Sequence, residues 1–259
     1  EKIYQPDAVE LIFFIHAGRE RRRLYISSNS GHARMHLLEE DKEQANPQSP
    51  TAFCMLLRKH FQGGRITAIR QVESERIIEL HVDHLDELGF SVSKRLTVEI
   101  MGKHSNIIAM DESSGRILDS IKRIPADLNR YRQLLPGLPY VYPPGHNKVC
   151  FYTLTEETLA EIAQRDPSSL PKALVSGIQG VSPVISEEIC KAAIRSAEQG
   201  ADSLSVADIQ KVVSNMTHSI HTGDLRPVVY MDKDRIPMDF HVFPLSDAES
   251  ILDKITFDN

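Results

Sequence analysis

Apolar and polar residues alternate through the first half of the chain. Val9 to His16 (VELIFFIH) and Arg23 to Ser27 (RLYIS) read as two strands joined through a turn at Gly18 and the basic run after it. Ala33 to Leu38 extends the pattern to a third strand. Glu39 to Pro50 is acidic, then rich in Asn, Gln and Pro, and reads as an exposed linker. Ser49 or Thr51 then caps a helix carrying Phe53, Leu56, Leu57 and His60 at helical spacing, which Gly63-Gly64 stops. Strands follow at Arg65 to Val72 and Arg76 to Val82. The runs LTVEI (Leu96 to Ile100) and NIIAM (Asn106 to Met110) flank a polar break at Gly102-Lys103-His104-Ser105, and Gly115 to Ile121 forms a further short strand. Pro125 to Tyr142 is extended and rich in turn residues, and it closes the β-rich part.

The pattern changes at about Cys150. Thr155-x-x-Thr158, with Glu156 and Glu157 behind the cap, opens a helix whose apolar stripe is Leu159 and Ile162. Ser169 to Ser176 is a second helix, ended by Gly177-Ile178-Gln179-Gly180. Ile185 to Ala197 is a third, with Ile185, Ile189 and Ile194 as its apolar positions, and Ser205 to His218 a fourth. Strands return at Arg226 to Met231 and Asp239 to Phe243, and these are expected to rejoin the β-rich domain. The fold class is therefore α+β. It divides into a β-rich domain at 1–150, a helical domain at 151–223, and returning strands at 224–259.

Composition narrows the class. Hydrophobic content of 41% and charged content of 25% are ordinary for a folded globular chain. The longest apolar run, LIFFI, is far too short for a membrane-spanning helix, and nothing resembles a secretory signal, so a cytoplasmic protein with no membrane partner is expected. Cys54, Cys150 and Cys190 are odd in number and widely spaced, which predicts reduced, buried thiols. The net charge is −6, yet Arg58 to Arg76 and Arg116 to Arg132 each carry a local balance of +3, and Arg19 to Arg23 holds a third basic cluster. Separate basic patches on an acidic protein suit a phosphate backbone held at a defined place. Arg58 and Lys59 are candidates for that role, and equally for the last turn of their helix, where the helix dipole favours cations.

Candidate chemistry is sparse. His81-Val82-Asp83-His84 invites a metal, but residues three apart on a strand point to opposite faces and no third ligand is near. No nucleophile with a base and an orienting partner can be assigned, so neither a catalytic residue nor a cofactor is expected. The break from Gly102 to Asn106 differs from an ordinary hairpin turn. It lacks an Asn-Gly or Asp-Gly pair and gathers a cation, an imidazole, a hydroxyl and an amide, so it reads either as a solvated loop or as a bend presenting donors to RNA phosphate or sugar.

EIMGKHSN (Glu99 to Asn106), FCMLLRKH followed by Gly63-Gly64, Arg70-Gln71, ERIIEL, NRYRQLLPG (Asn129 to Gly137) and Pro143-Pro144 resemble the NFACT-N family, in the family's order. The resemblance implies a β-sandwich-like domain similar to the N-terminal domain of formamidopyrimidine-type DNA glycosylases, followed by a helix-hairpin-helix module. In such a module the turn bearing Gly177 and Gly180 would take a phosphate. It also implies that a coiled coil follows and an opening helix precedes, so that the chain reads as an N-terminal fragment.

The function implied is ribosome-associated quality control. Such proteins bind large ribosomal subunits still holding a peptidyl-tRNA and recruit charged tRNA (alanyl-tRNA in bacteria) to extend the nascent chain without mRNA. The implied nucleic-acid contacts are Glu75, Arg76, Glu99, Gly102, Lys103, His104, Ser105 and Asn106. The family has Asp-Arg where this chain has Glu75-Arg76. A carboxylate beside the guanidinium fixes its plane for a phosphate or a base edge, and glutamate alters the reach. Family members are also named for binding fibronectin or fibrinogen, which makes an adhesin the alternative. A glycosylase reading rests on fold analogy alone, because those enzymes begin with proline and glutamate, whereas this chain reads Glu1-Lys2-Ile3.

Overall fold

The computed structural model describes residues 1–38, 49–86, 88–144, 148–166, 168–196, 205–246 and 253–256. Most of the expected linker, 39–48, lies outside the described residues. The chain forms two compact units, Glu1–Pro144 and Gly145–Asn259.

In the first unit, β1 (Lys2–Asp7), β2 (Glu10–Ala17), β3 (Glu20–Ser27) and β4 (Arg34–Leu38) form an antiparallel sheet in chain order. The β2–β3 hairpin turns at Gly18 as expected, with φ +65°. After helix α1 (Ala52–Phe61), the strands β5 (Arg65–Gln71), β6 (Ile77–Leu85), β7 (Ser91–Glu99), β8 (Asn106–Asp111) and β9 (Arg116–Ser120) form a second antiparallel sheet, again in chain order. Thr51, rather than Ser49, caps α1, its Oγ1 accepting from the Cys54 N–H at 3.0 Å. Ile3, Leu11, Leu24 and Ile26 from the first sheet meet Leu80, Val82, Leu96, Val98, Ile107 and Ala109 from the second, with Phe53, Leu57 and Phe61 of α1 in the same core. Burying a side chain of this size stabilises by about 1.5–3 kcal/mol.

The NIIAM run is apolar on both faces for a visible reason. Ile107 and Ala109 face this main core, while Ile108 and Met110 join Ile117 and Leu134 in a second cluster. Leu134, Ile124 and Tyr140 come from the segment after β9, which covers the outer face of the second sheet.

At one end of that sheet's inner strands, buried Lys94 donates to Asp111 Oδ2 at 2.5 Å. Burial works to raise the Asp111 pKa, but hydrogen bonds from Lys94, Ser113 and Ser114 outweigh it and hold the carboxyl well below the usual carboxylate range. A depressed carboxyl stabilises the fold above its unfolded value of about 3.9, and that contribution is lost as pH falls toward the folded value. Asp111→Asn is therefore expected to be less stable than the parent at pH 7. The gap in urea midpoint should narrow on acidification below about pH 4. A gap that stays constant with pH would count against this account.

In the second unit, β10 (Val149–Cys150) pairs in parallel with β11 (Ile178–Gln179). Helices α2 (Glu156–Arg165), α3 (Leu170–Gly177), α4 (Pro183–Ser196) and α5 (Val206–Thr222) pack around Leu159, Ile162, Leu174, Ile189, Ala193, Ile209 and Val213. Thr155 and Thr158 form the capping box that their spacing predicts, and Ser205 and Asp208 form another.

Four expectations need correction. The division falls at Pro144, not 150, because Val149 and Cys150 pair with Ile178 and Gln179. The returning strands do not rejoin the β-rich domain. β12 (Val228–Met231) is flanked by β13 (Pro237–His241) and β14 (Asp253–Thr256), so both its edges are occupied within the second unit. Ser246, between β13 and β14, ties this sheet to α4 through Glu188, its N–H donating at 2.9 Å. Ile194 is 62% exposed, because the buried stripe of α4 runs through Ile189, Cys190 and Ala193. Cys54 and Cys190 are free and buried, whereas Cys150 is only half-buried.

Candidate nucleic-acid interface

The antiparallel register brings the predicted residues to one end of the second sheet. Ile77 at the start of β6 pairs with Glu99 at the end of β7, which pairs with Asn106 at the start of β8. The turn Val72–Arg76, the bend Ile100–Ser105 and the residues following β9 therefore emerge together. Arg76 is joined to the bend directly, its carbonyl accepting the Ile100 N–H at 2.8 Å.

The bend is built by its own polar side chains. Gly102 has φ +56°, a conformation that side chains disfavour, and residues Gly102–His104 form one turn of 3₁₀ helix. Ser105 Oγ accepts the Met101 N–H at 2.8 Å. Asn106 Nδ2 donates to the Lys122 carbonyl at 2.8 Å, and its Oδ1 accepts from the Lys122 N–H at 3.1 Å. Lys122 Nζ donates to the carbonyls of Ser105 and Ser28, linking the bend to the loop after β3. Burial lowers the Lys122 pKa, since it disfavours the charged ammonium.

Glu99 lies beneath the bend with no side-chain exposure. Arg132 grips both its carboxylate oxygens, one at 3.1 Å, and Tyr140 donates its hydroxyl at 2.7 Å. Burial and the Glu99 carboxylate push the Tyr140 hydroxyl pKa far above its ordinary value. The neighbouring hydroxyl of Tyr142 donates to Glu79 and, for the same reasons, is pushed up to about 12.

The predicted contacts therefore separate into two groups. Arg76, Lys103 and His104 are exposed, and Glu75 is half-buried beside them on the same turn. Glu99, Ser105 and Asn106 are buried with hydrogen bonds inside the unit, so they brace the bend from within. Arg58 and Lys59 do not join it. Arg58 Nε donates to the Ile3 carbonyl at 2.9 Å. Their helix ends near the opposite end of β6, where the Gln62 carbonyl meets His84 Nε2. His81 sits apart from His84, within reach of Glu79 and Glu112. Among the described residues, no group of three or more His, Cys, Asp or Glu side chains could hold a metal.

Gly177 also changes role. It is buried at the end of α3, and a Cβ there would lie 2.6 Å from Ile162 Cγ2, so glycine is required by packing. Gly180 is exposed, with φ +82°.

A model of the NFACT N-terminal and middle domains matches residues 1–259. The chain belongs to this family. It is 36% identical over 187 residues to the Rqc2 homolog RqcH of Bacillus subtilis, covering 72% of this chain and 32% of that protein. It is 39% identical over 189 residues to the Rqc2 homolog RqcH of Streptococcus suis, covering 73% and 34%. The chain thus spans about a third of the length of these NFACT relatives. Among solved structures, the N-terminal part of the fibronectin/fibrinogen-binding protein from Streptococcus suis superposes with a TM-score of 0.76 at 32% identity, covering 95% of this chain and 83% of that one. The fibrinogen binding protein from Staphylococcus aureus gives a TM-score of 0.80 at 24% identity, covering 100% and 87%, a likeness of fold. Among the described residues, no helix is long and apolar enough to cross a membrane.

Sequence pattern does not reveal what supports this end of the sheet. Lys122, Arg132 and Tyr140 come from a turn-rich segment with no periodicity, and only the register and the segment's return over the sheet bring them to the bend.

Proposed function

We propose that this NFACT chain binds tRNA and large-subunit ribosomal RNA as part of a ribosome-associated quality control factor, and that it acts by binding, not catalysis. The observation that carries this reading is the shared placement of Arg76, Lys103 and His104. Three exposed groups that can donate to phosphate stand at one sheet end, on turns held rigid by buried hydrogen bonds. Relatives named as Rqc2 homologs supply the cellular context. On this reading the charged tRNA is alanyl-tRNA and the outcome is mRNA-independent tailing. The β-sandwich-like first unit serves as a glycosylase-type scaffold without glycosylase chemistry. In a helix-hairpin-helix reading of α3 and α4, Gly180 is the exposed glycine of the turn.

Substituting Arg76 and Glu75 by alanine is expected to weaken tRNA binding by about tenfold or more and to lower the slope of log affinity against log salt by about 1. The thermal midpoint should hold within a few degrees, because Arg76 is exposed. Unchanged affinity and slope in the titration would sink the assignment. The second reading, an adhesin, draws on solved relatives named for fibronectin and fibrinogen binding. Binding to immobilised fibronectin that survives excess tRNA and the Arg76 substitution would favour it.

A further inference from the structure

Tyr131 is 97% exposed, the most open large apolar side chain among the described residues, and it stands on a hydrogen-bonded turn. Asn129 Oδ1 accepts the backbone N–H groups of both Tyr131 and Arg132 at 3.0 Å. The next residue, Arg132, is anchored in three ways: by Glu99, by the Val141 carbonyl at 2.5 Å, and by the Tyr140 ring 5.2 Å from its guanidinium. Backbone bonds between Ile124 and Leu134 close the base of this loop. Glu99 is the last residue of β7, so its bond to Arg132 sets the loop beside the Ile100–Ser105 bend. An exposed phenol on a braced turn, next to exposed Arg130 and on the sheet end that carries Lys103, His104 and Arg76, has the make-up of a stacking surface edged by cations.

We propose that Tyr131 stacks on an unpaired base of the bound RNA, so that this end of the sheet prefers looped or single-stranded RNA to a continuous duplex. The proposal rests on the RNA-binding reading above and adds to it the form of RNA selected. In a duplex the base faces are hidden by stacking, and only the backbone can meet Lys103, His104 and Arg76. In a loop a base can swing out onto the phenol while the same cations hold the flanking phosphates.

The test compares a labelled RNA hairpin having an unpaired loop with a blunt duplex of the same stem, titrated by fluorescence anisotropy at two salt concentrations. Tyr131→Ala is expected to weaken hairpin binding by roughly tenfold to a hundredfold, leaving duplex binding and the salt slope unchanged. Tyr131→Phe, which keeps the ring, is expected to bind as the parent does. Arg76→Ala should weaken both RNAs and reduce the salt slope by about 1. If Arg76→Ala behaves so and Tyr131→Ala binds the hairpin as tightly as the parent, stacking is overturned and the interface stands. Equal losses on hairpin and duplex with Tyr131→Ala would overturn it too. If the parent protein binds neither RNA, the interface reading fails and takes this proposal with it.

Discussion

Arg132→Ala is expected to destabilise the first unit by about 3–5 kcal/mol, the cost of leaving a buried carboxylate without its cation. Glu99 has no exposed side-chain surface, and Arg132 is only 11% exposed, so water cannot take over the solvation that the guanidinium provides. The Tyr140 hydroxyl would remain as a donor, but one neutral hydrogen bond does not balance a buried charge. Urea unfolding of the variant should show a lower midpoint, and the loss should shrink when Glu99→Gln is added, since the orphaned charge is then gone. The bend at Gly102–His104 should lose protection from hydrogen exchange before the rest of the sheet, because Glu99 is the last strand residue before it. A midpoint unchanged by Arg132→Ala would refute the brace and weaken the placement of Tyr131 that depends on it.

Gly177→Ala is expected to destabilise the second unit by about 1–3 kcal/mol through overpacking. The added methyl would meet Ile162 Cγ2 at 2.6 Å and Cγ1 at 2.8 Å. Ile162 is fully buried in the centre of the helical core and is β-branched, so it has little freedom to turn aside. Gly180→Ala offers the contrast: that residue is exposed, and its φ of +82° costs an alanine about 1 kcal/mol. Thermal melts of the two variants should rank in that order. If Gly177→Ala were tolerated while tRNA binding fell, a phosphate-contacting role for Gly177 would return.

Much of this NFACT fold was legible wherever local chemistry decides. Alternation located β2, β4, β5, β8 and β9 within a residue or two, and capping residues located α1, α2 and α5, because side-chain period and orphan N–H groups are properties of neighbours in sequence. Alternation does not mark β14, a short run of mixed polarity. Ile194 was misplaced because an isoleucine at helical spacing says nothing about whether a neighbour covers it.

The site divides along the same line. Arg76, Lys103 and His104 could be named from residue type and motif, but not that Glu99, Ser105 and Asn106, from the same motif, turn inward. A polar residue's role depends on which partners the register delivers, and Lys122 and Arg132 reach them across 16 and 33 positions of sequence. The chain's own order of residues determined the strands, the caps, the glycine bend and the family. Tertiary structure alone decided which polar groups are spent inside and which face outward, because burial and hydrogen-bond partnership arise only when distant segments pack together.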